Sequence, residues 1–164
     1  YRKIRNIGKQ VYGDSEVTIR NGNWYGNDTC WRMALDLNRC LLYGNINGTY
    51  NQKQKSYIGI VDGIVAGEGN GPICPDPVSS KVIVVGDNPV FIDATVSQLM
   101  GFDYTKIPLI KNAFDLDHPL PLIEEIGEKY VVFDERINKE VSLKDIQKIM
   151  SRKFKPHFGW SNYL

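Results

Sequence analysis

Along this chain the spacing of hydrophobic positions changes several times, and each change predicts an element. EVTIR (16–20) alternates apolar and polar side chains, the period-two pattern of a half-buried strand. After the polar, glycine-punctuated NGNWYGNDT, the segment DTCWRMALDLNRCLLY (28–43) predicts a helix, with Asn27 or Asp28 placed to cap its first turn. SYIGIVDGIV (56–65) is a β-branched run that barely alternates, which predicts a central strand. A glycine–proline loop leads to KVIVVG (81–86), a second apolar strand. DNPVFIDATVSQLMG (87–101) then predicts a helix, with Asp87 or Asn88 as cap, Pro89 at its first position and Gly101 just beyond its end.

TKIPLIKNAF (105–114) predicts a short helix starting near Pro108. KYVVFDE (129–135) and KEVSL (139–143) predict a hairpin around Asn138. In SLKDIQKIMSRK, Ser142 and Asp145 stand at capping-box spacing before a final helix. No internal repeat or low-complexity segment interrupts this order. Strands and helices mix throughout, so the expected class is α/β, a mixed β-sheet flanked by helices in a layered sandwich. The 164 residues suit a single domain with a real core. Its core motifs would fall in 24–114, with a hairpin, a helix and an aromatic tail from 129 onward.

Composition narrows the function classes. Lys and Arg total 20 against 19 Asp and Glu, so nothing in the charge balance favours nucleic acid or an anionic membrane as partner. No run of about eighteen apolar residues is present to span a bilayer. The three cysteines, Cys30, Cys40 and Cys74, form no CxxC pair and encode neither a zinc knuckle nor an iron–sulfur cluster. Cys30 and Cys40 lie about eighty degrees out of line on one helix and cannot bridge to each other. The expected compartment is a reducing cytoplasm. The chain opens Tyr1-Arg2-Lys3 without a methionine or a signal-peptide pattern, which suggests an excised portion of a longer protein.

Three constellations could carry chemistry. On the 28–43 helix, Arg32, Asp36 and Arg39 fall within about sixty degrees of arc, while most other faces are apolar. That pattern predicts a buried helix with one charged stripe. The stripe is either a structural ladder or a place where guanidinium groups meet a carboxylate or phosphate. The second is the corner VDGIVAGEGNGPICPDP (61–77), where Asp62 and Glu68 flank a loop rich in glycine. Its prolines rule out both a Walker loop and a dinucleotide fingerprint, each of which must open a helix. An acidic loop with close backbone access suits a hard divalent cation or acid–base work; otherwise Glu68 bonds backbone amides in a buried turn. The third is Asp93, placed among Phe91, Ile92, Ala94 and Val96 in a helix that otherwise packs, where a buried carboxylate needs a partner. His118 and His157 lack a second ligand at metal spacing and read as structural.

NGNWYGNDTCWRMALDLNRCLLY, YIGIVDGIVAGEGNGPICPDP and NPVFIDATVSQLMGFDYTKIPLI together resemble the family called domain of unknown function 362, with an echo in the closing KPHFGW. The resemblance implies the C-terminal portion of a longer protein. Some relatives carry ferredoxin-type cysteine clusters and are linked to redox chemistry; this chain has none of those cysteines, so no cluster is carried over. The polar positions that match are Asn27, Asp28, Thr29, Arg32, Asp36, Asn38, Arg39, Asp62, Glu68, Asn70 and Asp93.

The resulting expectation is a pocket walled by the helix that starts at Asn27 and floored by the Glu68 loop. Asn27, Asp28, Thr29, Arg32, Asp36, Arg39 and Asn70 would bind a small anion, helped by the positive end of the helix. Glu68 and Asp62 would act as acid–base groups, or with Asp93 as ligands to a divalent metal. The alternative is a non-catalytic docking module for the N-terminal part of the same protein or for another partner. It predicts that Arg32, Asp36, Arg39 and Asp93 form a closed buried network with no cavity beside it, and that an apolar patch lies exposed.

Overall fold

The computed structural model describes residues 22–50, 52–72, 74–124, 131–148 and 153–164. The predicted strand EVTIR lies outside these residues. The first described element is helix α1, Cys30–Tyr43. Antiparallel strands β1, Gly59–Glu68, and β2, Asp76–Gly86, follow as one ribbon. Helix α2, Pro89–Leu99, and helix α3, Pro108–Ala113, come next. A second ribbon of β3, Val131–Asp134, and β4, Lys139–Ser142, leads into a 3-10 turn at Leu143–Lys148. The fold is α/β, as expected.

Several details differ from the expectation. Among the described residues β1 is not a central strand but half of a two-stranded ribbon whose burial alternates. β1 and β2 run over Gly59–Glu68 and Asp76–Gly86 rather than 56–65 and 81–86, so Glu68 ends a strand. Among the described residues the strands form two antiparallel ribbons, not a mixed sheet. The reason lies in the β1–β2 connection, which is too short for the crossover of a dozen or more residues that parallel pairing needs. The final helix is 3-10 over Leu143–Lys148, and its following residues fall outside the described ones.

Local chemistry accounts for most element ends. Asn88 caps α2 by accepting the Val90 amide at 2.9 Å, and Pro89 supplies the first helical residue without wasting an N–H. Asn138 takes φ 51°, a left-handed conformation that asparagine tolerates, and turns β3 into β4. In the longer ribbon, Ser80 and Lys81 of β2 oppose Ile64 alone, a bulge with Lys81 at φ 53°.

The helical core joins Leu35, Leu42 and Tyr43 of α1 to Val90, Ala113, Leu122 and Ile123. The 118–123 segment is strapped over it: Arg39 Nε donates to the Leu120 carbonyl at 3.3 Å and the Tyr43 hydroxyl to that of Pro121 at 2.5 Å. On the inner face of the ribbon, Gly59 pairs with Gly86, and a Cβ on either would meet Ile92 within 2.8 Å. The glycine pair therefore lets α2 lie close against the strands. At the far end of the ribbon, Val78 packs with Phe102 and Phe154 in a second cluster.

Candidate functional site

Helix α1 is amphipathic, not buried on most sides. Its buried positions follow the seam through Leu35 and Leu42, while Met33, Leu37 and Leu41 stand exposed at i, i+4 and i+8. The cap also sits later than expected. Thr29 is the N-cap, and Asn27 accepts both its amide at 3.1 Å and its hydroxyl at 2.7 Å. The Asn27 amide group is itself donated to the Gly22 carbonyl at 2.7 Å. Asp28 accepts the Trp31 indole at 2.8 Å and Arg32 at 2.6 Å, while the Arg32 guanidinium lies 5.1 Å from the Trp31 ring. An incoming anion would thus meet a carboxylate already at the positive end of the helix.

Two turns on, Arg39 pairs with Asp36 at 3.1 Å. The Arg39 side chain is only 12% exposed, against 72% for Asp36, so the arginine is largely committed to the Leu120 strap. The charged stripe therefore divides into a solvent-facing pair at the first turn and a tethering pair at the third.

The glycine corner has a different role for each acid. Asp62 is exposed on the outer face of β1 and accepts the Ile64 amide at 3.1 Å beside the bulge. Glu68 is buried, its side chain 1% exposed. Its carboxylate accepts the Lys155 amide at 2.9 Å, and the Lys155 ammonium lies 3.7 Å away. Gly69 donates to the Lys155 carbonyl at 2.9 Å, and Asn70 accepts the Phe158 amide at 3.4 Å. The loop is thus clasped by the tail 153–164. Lys155 is the residue the sequence reading missed; nothing local to it signals a partner eighty-odd positions away.

The tail is held at a third point. Tyr25 stacks on Tyr163 at 3.7 Å and meets Trp160 edge-on, while the Trp160 indole donates to Asn23 at 2.9 Å. His157 accepts the Gly159 amide through Nδ1 at 3.2 Å, which requires that nitrogen to be unprotonated. Burial pushes the His157 pKa below the ordinary value, in keeping with that bond.

Asp93 lies neither in a buried network nor beside an arginine of α1. It is exposed, and with Asn38 it edges a cavity of about 50 Å³ between α1, α2 and α3. The apolar walls partly desolvate its carboxyl and push its pKa up. Among the described residues no group of three or more His, Cys, Asp or Glu side chains could hold a metal ion, so Asp62, Glu68 and Asp93 do not gather into one site.

The family model described as "Domain of unknown function (DUF362)" matches residues 8–98, more than half of the chain. The chain belongs to the DUF362 family. The match runs from before α1 to one residue short of the end of α2 and takes in every candidate residue from Asn27 to Asp93. The tail that clasps Glu68 lies beyond it, so in this DUF362 protein the glycine corner is completed by a segment outside the matched region. No curated protein and no solved structure matches the chain. No helix among the described residues is long and apolar enough to cross a membrane.

Proposed function

We propose that this DUF362 chain is a partner-binding module that docks through the outer face of the β1–β2 ribbon. One observation carries the reading: Ile58, Ile60, Ile83 and Val85 stand on that face, each 61–74% exposed. Contiguous aliphatic surface of this kind marks interaction sites. Asp62 sits among them, opposite Ile83, with no ion-pair partner among the described residues. The fitting partner is an aliphatic segment of another protein carrying one lysine or arginine to meet Asp62.

The small-anion pocket has less support, since Asp28 and Asp36 already hold Arg32 and Arg39, and Glu68 lies under the tail. Three exposed, unbridged cysteines support a reducing compartment.

The test uses two labelled peptides that alternate valine with threonine and differ in one central residue, lysine or glutamate. Wild type should prefer the lysine peptide by roughly tenfold, and Asp62→Lys should reverse the preference. Equal binding of the two peptides, or none, rejects the partner chemistry. Self-association in sedimentation, without peptide, assigns the face to a second copy. A large fall in Tm for Ile60→Lys shows the face already covered within the chain and rejects docking altogether.

A further inference from the structure

The cavity between α1, α2 and α3 is separate from the ribbon face, and its lining has an uneven chemistry. Ala34, Val90, Ala113 and Leu122 provide apolar wall, while Asn38 and Asp93 are the polar groups. Asn38 donates its amide nitrogen to the Ala34 carbonyl at 2.8 Å, which fixes the orientation of the side chain and leaves its oxygen as an acceptor. Both polar groups of the cavity thus offer acceptors, and among the described residues no cationic side chain lines it. Asp93 has no ion-pair partner among the described residues.

We propose that this cavity binds the end of an alkylammonium ion, its carbon stem against the Val90 and Ala113 walls and its charged nitrogen on the Asp93 carboxylate. Size sets the length of the stem. A water-sized group needs about 10–15 Å³ of such space, so the roughly 50 Å³ available takes about three to five heavy atoms. Charge sets the head group: an anion would face Asp93 directly, and a neutral alcohol would leave the partly desolvated carboxylate without its counter-charge. A divalent metal would need more carboxylates than the site has. The same alkylammonium chemistry is presented by a free short-chain amine and by the lysine side chain of a peptide.

The experiment is a titration of the full chain, followed by amide NMR shifts, with methylammonium, butylammonium, butanol and a lysine blocked at both backbone ends. Saturable shifts are expected at Ala34, Val90 and Ala113. Butylammonium should bind more tightly than methylammonium, and roughly tenfold more tightly than butanol. Asp93→Asn should weaken butylammonium roughly tenfold while keeping its folded spectrum, and Asp93→Glu should restore part of the loss. Tighter binding of the blocked lysine assigns the site to a peptide partner; equal or weaker binding assigns it to a free amine. The proposal is overturned if no saturable shift appears at these residues, if butanol binds as well as butylammonium, or if Asp93→Asn binds unchanged.

Discussion

The two ends of the β1–β2 ribbon treat an acid and an aliphatic side chain in opposite ways. At one end the Glu68 carboxylate is enclosed, with Val78, Phe102 and Phe154 packed nearby in a common cluster. At the other, in the same strand, Ile60 is 70% exposed. Hydrophobicity alone would have placed these two residues the other way round. What separates them is covering chain. The tail 153–164 brings a backbone amide and an ammonium to Glu68, and a carboxylate supplied with such partners can be buried. No described segment lies over Ile58, Ile60, Ile83 and Val85, so their side chains stay in solvent whatever their nature. The closed end is held by the tail, and the outer face of the open end is where a partner has surface to gain.

Four measurements test that contrast. Phe154→Ala should have the largest effect, a loss of about 3–5 kcal/mol in chemical denaturation, because it empties the cluster that holds the tail down. A cost below about 1 kcal/mol would mean that the tail adds little to the closed end. Glu68→Ala should cost about 1–3 kcal/mol by leaving the Lys155 amide without its part-buried bond. If its Tm matched that of wild type, the bonds between Glu68 and the tail would add nothing to stability, and the contrast between the ends would fail.

The third effect is smaller and depends on pH. His157 has a folded pKa below its unfolded value, so the folded state binds the proton less readily than the unfolded chain. Its contribution is complete above the ordinary pKa of about 6.5 and is lost as pH falls from there through the lowered folded value. The tail should therefore loosen on acidification, seen as faster amide exchange at Gly159 and Trp160 at pH 5 than at pH 7.5 after correction for intrinsic rates. His157→Phe should flatten that dependence. Ile60→Lys should be the mildest change, within about 0.5 kcal/mol of wild type by thermal melting. A loss of several kcal/mol would show that the open end is covered after all.

Reading the chain by pattern worked where the physical cause is local. Pro89 and Asn88 announced the start of α2, Asn138 the hairpin turn, and Pro108 the start of α3, because each acts on backbone within four residues of itself. The same reasoning misjudged α1. Counting its apolar residues predicted a helix buried on most sides, yet burial depends on what lies opposite each face, and nothing described lies opposite Met33 or Leu37. Asp93 was misread for the same reason. Its sequence neighbours are apolar, but its position on the helix turns it to the cavity mouth.

The amino-acid order by itself determined the element types, most of their ends, the acidic glycine corner and membership of the DUF362 family, since all of these rest on contacts or patterns short in sequence. Only the tertiary structure decided which acid is enclosed. Glu68 meets its partner 87 residues later, while Asp62, on the same strand, faces solvent. Contacts across such separations carry no periodic trace in the sequence, because they are set by how the packed elements bring distant backbone together.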